Sequence, residues 1–102
     1  MLIAARKAQS FVAGLDFAAL QASDLHQSAV VRQLEIIGEA ASRVSANYRI
    51  AHPEIPWRQI VGMRHRLIHD YRNVDLVKVW DVLQNELEPL KTLLLPQIPP
   101  DE

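Results

Sequence analysis

The sequence predicts an all-α protein, most simply an up-and-down bundle of four main helices plus a short helical turn. Three observations lead there. Apolar residues recur at steps of three and four in four separate stretches, and no stretch of useful length alternates with period two. Residues that cap, turn or break helices fall between those stretches, so the connections are short. At 102 residues and 49% hydrophobic content, with no low-complexity run, the chain suits one domain over 1–102 and is too short for two.

The first helix runs from Met1 to about Ala13, with Met1, Ala5, Ala8, Val12 and Leu15 on one stripe and Gly14 placed to end it. No capping residue precedes it, and the stripe begins already in register, which suggests a first helix shortened by a turn or more. Asp16 is placed to cap a short helical turn, Phe17 to Leu20, and Ser23 or Asp24 to cap the second long helix, roughly 24 to 46. There Val30, Leu34, Ile37, Ala41 and Val44 step by four, three, four and three. Gly38 in its middle lowers helix stability by ~1 kcal/mol relative to alanine, which is best explained by close approach of a neighbouring helix.

Residues 47–56 read as a loop, because Pro53 and Pro56 bias their predecessors away from helical geometry. A third helix is expected from about Trp57 to about Asp70, ended by Arg72-Asn73-Val74. Asp75 is placed to cap the last helix, in which Leu76, Val79 or Trp80, Leu83, Leu87, Leu90 and Leu94 keep the period. Pro89 should kink it or mark a local break, and Pro96, Pro99 and Pro100 make the tail irregular from about 96. Trp57 and Trp80 are expected in the core.

Chemistry concentrates in the stretch from Met63 to Tyr71, which holds Arg64, His65, Arg66 and His69 within nine residues. On the stripe Trp57, Val61, Arg64, Ile68, Tyr71, Arg64 stands among core positions and needs a carboxylate, a phosphate or a water-filled cleft. Glu35 and Glu39 share a face of the preceding helix, and Glu39 is the expected partner. Arg66 and Asp70, at i and i+4, read as an exposed pair.

Composition narrows the partners. A net charge of −1 argues against a general electrostatic grip on nucleic acid, but Arg58, Arg64, Arg66 and Arg72 cluster with only Asp70 against them. A local basic site of this kind suits a small anion or a short stretch of RNA. Cysteine is absent and no stretch approaches the length of a membrane span, which fits a soluble protein of the reducing cytoplasm.

Three blocks taken together resemble the HepT-like toxins of the HEPN superfamily. They are Gln33 to Ala41, Pro53-Glu54-Ile55-Pro56-Trp57, and Arg64-x-x-x-x-His69-x-Tyr71 followed by Val74-Asp75. The resemblance covers about Gly14 to Leu95. It implies a helical-bundle ribonuclease acting as a homodimer, with Arg64 and His69 of each protomer lining a shared cleft. It further implies a partner nucleotidyltransferase antitoxin that silences the toxin by adding adenylate to Tyr71. The position after the motif arginine is commonly asparagine in that family and is His65 here, so a helper role for His65 carries over loosely.

The residues support such chemistry on their own. Metal-independent RNA cleavage needs a base for the ribose 2′-hydroxyl, an acid for the leaving 5′-oxygen and cationic donors for the phosphorane. Imidazole titrates near neutrality, which suits His69, and the planar fork of Arg64 matches phosphate oxygens. Arg66 and Arg72 are candidate contacts to RNA phosphate, Glu39 and His65 candidate helpers. On an ideal helix at ~100° per residue, Arg64 and His69 stand about 140° apart, so both reach one phosphate only if the helix end unwinds or a partner protomer completes the site. No metal or cofactor is expected: His65 and His69 share a face, but flanking arginines repel a dication. The alternative function is a non-catalytic nucleotide-binding or docking module that serves the nucleotidyltransferase.

Overall fold

A 19-residue helix, α3 (Asp24–Ser42), is the element against which the helices on either side of it in the chain pack. The computed structural model describes residues 1–70 and 73–97, and for residues 69, 70, 73 and 97 the backbone alone. Ser23 caps α3 by accepting the amide N–H of His26, as its side-chain chemistry favours. Val30, Leu34, Ile37 and Ala41 are fully buried, and each of the larger three contributes roughly 1.5–3 kcal/mol by leaving water. The α3 stripe lies on the core as its spacing requires.

Before it come α1 (Leu2–Phe11) and α2 (Phe17–Gln21). Buried Ala4, Ala5 and Ala8 put small side chains on the face of α1 that packs on α3. Gly14, at φ +80°, makes the turn that follows, and Asp16 accepts the amide N–H of Ala19 at 2.8 Å to start α2.

α3 ends at Ser42, and α4 (Ala46–Ala51) then occupies the first half of the segment expected to be a loop. Ser45 accepts the amide N–H of Tyr48, and the Arg49 guanidinium reaches back 2.8 Å to the Ala41 carbonyl at the end of α3. Pro53 constrains only what immediately precedes it, so one capped turn forms upstream.

The expected third helix is two short ones, α5 (Trp57–Val61) and α6 (Met63–Leu67), bent at Gly62. It stops three residues early. Ile68–Asp70 (β1) is extended and pairs antiparallel with Asn73–Val74 (β2), and the Asp75 amide reaches the Leu67 carbonyl at 2.7 Å. β-branched Ile68 and Val74 are partners in that ladder, which suits their propensity. A two-stranded ladder this small leaves the fold class all-α.

α7 (Leu76–Asp81) starts at the Asp75 cap and passes through a π-helical turn, Val82–Glu86, into α8 (Leu87–Leu94) and a last 3₁₀ turn, Leu95–Gln97. Pro89 sits in the first turn of α8 with no N–H for the Asn85 carbonyl, and the widened turn just upstream absorbs that mismatch. α1 packs on α3, α3 on α5 and α6, α6 on α7, and α8 back on α1, so the bundle closes. At the α1–α8 seam Gln9 donates to Glu88, whose carboxyl is held below its ordinary range by hydrogen bonds from Lys91 and then Gln9. Trp57 is buried, while Trp80 is half-buried with Phe17 against its ring.

Candidate active site

The buried face of α5 and α6 is Trp57, Ile60, Met63 and Leu67, one position off the stripe that contained Arg64. Burying the all-apolar alternative avoids desolvating a guanidinium, so Arg64 is left at the exposed edge with 66% of its side chain in solvent. Its partner is Glu35, at 3.1 Å and 21% exposed, and not Glu39, which instead faces Arg32 at 3.8 Å. The register of the helices decides this. Gly38 brings the backbone of α3 against α5 and α6: a β-carbon there would lie 3.0 Å from the Ile60 carbonyl oxygen and 3.5 Å from Met63. Because α3 and α6 run antiparallel, the residue after Met63 meets a residue N-terminal to Gly38.

The Glu35–Arg64 pair stands where two depressions meet. The larger, about 570 Å³, is lined by Asp24, Gln27, Ser28, Arg32, Glu35 and Arg64 over a floor of Val31, Ile68 and Val74. The smaller, about 200 Å³, adds Glu39, Ser42, Val61 and His65 to the same pair. His65 is exposed there. One nitrogen of Arg64 is engaged by Glu35, and a guanidinium has five N–H donors, so most of its fork remains for an anion in the larger cleft.

His69 follows Ile68 in the extended segment, so its backbone leaves the helical path before its own position. The 140° separation that a continuous helix imposes therefore does not hold, and the helix end does unwind. The His69 side chain, Tyr71 and Arg72 lie outside the described residues.

Arg66 goes elsewhere. It donates to Glu86 on the π turn at 2.8 Å, beside an apolar hollow lined by Ile60, Met63 and Leu90, while the side chain of Asp70, its expected partner, lies outside the described residues. Its place is away from the cleft that holds Arg64, because α6 turns positions 64 and 66 about 200° apart at ~100° per residue. The cleft residues that the sequence did not single out, Asp24, Gln27, Ser28 and Arg32, follow the helical repeat along one side of α3. That polar side, continuous with Glu35, was the available signal.

The whole length from residue 1 to 95 matches the family model for HepT-like ribonucleases. The chain belongs to the ribonuclease HepT-like family. It is similar to a Thermococcus cleftensis protein named Probable ribonuclease HepT, with 45% identity over 65 residues, 64% of this chain and 59% of that protein. A Methanocaldococcus jannaschii protein named as a candidate RNase is 32% identical over 81 residues, covering 79% of this chain and 74% of its own length. A third, from Caldanaerobacter subterraneus and also named as a candidate RNase, is 36% identical over 80 residues, 78% of this chain and 71% of its own. The chain thus spans between about a third and three quarters of the length of the curated relatives it matches. No solved structure matches it. Among the described residues, no helix is long and apolar enough to cross a membrane.

Proposed function

We propose that the protein is a metal-independent endoribonuclease and the toxin of a toxin–antitoxin pair, working in the cytoplasm. The observation that carries this reading is the open cleft in which Arg64, steadied by Glu35, precedes the extended segment holding His69, in a chain of the ribonuclease HepT-like family. In the proposed reaction the ribose 2′-oxygen attacks the adjacent phosphorus and the bond to the 5′-oxygen breaks. The products are a 2′,3′-cyclic phosphate and a 5′-hydroxyl. His69 carries a proton for one of the two oxygens, and Arg64 donates to the phosphorane. A homodimer that joins two such clefts supplies the second proton carrier, with His65 as the alternative source. Glu39, engaged with Arg32, acts at most through its neighbours, and Arg66, engaged with Glu86, and Arg72 are proposed contacts to RNA phosphate outside the Arg64 cleft.

Purified protein incubated with RNA in excess EDTA is expected to yield fragments ending in 2′,3′-cyclic phosphate. Intact RNA under those conditions would leave the docking-module alternative in place of the nuclease.

Control is proposed to act through Tyr71 as the acceptor of adenylate from a partner nucleotidyltransferase. An added phosphodiester two residues beyond His69 brings an anion and bulk to the segment that meets RNA, repelling the substrate and competing for arginine. Tyr71→Phe is expected to cleave RNA normally and to escape silencing by the nucleotidyltransferase and ATP. Mass spectrometry should show adenylate increments on the wild-type chain and none on the variant. Equal increments on both would mean that another residue is modified.

A further inference from the structure

The larger depression extends well past Arg64, and the residues at its far end differ in character from those at the arginine end. Asp24, Gln27 and Ser28 line it at the start of α3, while Arg32, Glu35 and Arg64 line it one to two turns on. Eight residues from Asp24 to Arg32 span about 12 Å of helix at 1.5 Å each, room for one nucleotide lying along it. Val31, Ile68 and Val74 give that span an apolar floor of the kind a base face needs.

The polar end is built mainly of acceptors. Gln27 donates from its side-chain nitrogen to the carbonyls of Leu20, at 3.1 Å, and Gln21, at 2.9 Å. Both of its N–H bonds are thereby used to close the C-terminal end of α2, which fixes the amide orientation and leaves Oε1 as an acceptor only. One turn before it, the Asp24 carboxylate has no hydrogen-bond or ion-pair partner among the described residues and offers two acceptor oxygens. Ser28, at i+4 from Asp24, supplies a hydroxyl that donates or accepts on the same side of the helix. Two adjacent N–H donors flanked by a carbonyl oxygen complement that set. Among the RNA bases only guanine presents them, through N1–H, the 2-amino group and O6, whereas cytosine and adenine place a ring acceptor beside their amino group.

We infer that this end of the cleft is a guanine-binding subsite, in which Asp24 accepts from N1–H and the 2-amino group, Ser28 serves O6, and the attached phosphate lies toward Arg32 and Arg64. The subsite deepens the ribonuclease reading, since it places a guanosine next to the bond that is cut, but mononucleotide binding tests it without turnover.

Binding of GMP, IMP, CMP and AMP would be measured by NMR titration of the wild-type protein and of the Asp24→Asn and Arg64→Ala variants, with circular dichroism to show that each variant folds. GMP is expected to bind on the order of tenfold or more tighter than IMP, which lacks only the 2-amino group and leaves a carboxylate oxygen unpaired. Asp24→Asn should erase the difference between GMP and IMP, while Arg64→Ala should weaken both alike. Equal affinities of the wild type for GMP and IMP, tighter binding of CMP or AMP, no GMP binding at millimolar concentration, or a preference untouched in Asp24→Asn would each overturn the subsite. Selection of GMP by a protein that leaves RNA intact would refute the nuclease and keep the subsite. RNA cleavage without discrimination between GMP and IMP would do the reverse.

Discussion

His69→Ala is expected to lower RNA cleavage by about 10²–10⁴-fold, the usual worth of a positioned proton carrier, while leaving a folded helical protein. The segment from Ile68 to Asp70 is held by its backbone ladder to Asn73–Val74 and by the Asp75 amide on the Leu67 carbonyl, neither of which needs the imidazole. Arg64→Ala is expected to cost about 10²–10³-fold through loss of donors to the phosphorane. Its effect on stability should be small: the pair with Glu35 is largely exposed on the arginine side, and such pairs contribute about 0–1 kcal/mol. Rates on a short RNA, thermal melts and light-scattering mass would be compared for the three proteins, all expected to be dimers. Wild-type rates in His69→Ala would end the ribonuclease assignment, and monomers throughout would remove the shared cleft from it. A substrate with 2′-deoxyribose at the cleaved position should resist all three, since its internal nucleophile is gone.

The parts of this molecule that were legible in its sequence are those set by local chemistry. Asp16, Ser23 and Asp75 cap the helices that follow them, and Gly14 turns at positive φ, because each outcome depends on a few neighbouring backbone groups. The α3 stripe was legible because only one face of that helix offers a continuous apolar row. From Trp57 to Ile68 two apolar rows compete, one through Val61 and Arg64 and one through Ile60 and Met63. Periodicity cannot choose between them, and desolvation of the guanidinium does. The unwinding after Leu67 was also hidden, since it depends on pairing with residues beyond the turn. Pro89 announced a disturbance in the last helix without saying that the π turn relieving it would lie just upstream and present Glu86 to Arg66.

The choice between Glu35 and Glu39 as the partner of Arg64 belongs to a different class, because both lie on the same side of α3 and only the axial offset of two packed helices separates them. Gly38 sets that offset, which makes it the residue whose replacement should disturb fold and site together. Its missing β-carbon allows the Ile60 carbonyl to approach to what would be 3.0 Å, at the edge of what any real contact tolerates, with backbone as the obstructing atom. Gly38→Ala adds one methyl against that limit and gains ~1 kcal/mol of intrinsic helix stability, so its net effect should be small. Gly38→Val adds two further carbons on a stiff χ1 and cannot turn both away from α5 and α6. Overpacking of this kind costs about 1–3 kcal/mol, and in a chain of this size that corresponds to a fall in Tm of roughly 4–24 °C. Separation of α3 from α6 also lengthens the Glu35–Arg64 contact and misplaces the guanidinium, so Gly38→Val should lose at least tenfold in cleavage even at temperatures where circular dichroism shows it folded. Thermal melts and cleavage rates of the alanine and valine variants test this directly. A valine variant that melts with the wild type would show that the two helices have slack at Gly38, and that something other than this contact pairs Arg64 with Glu35.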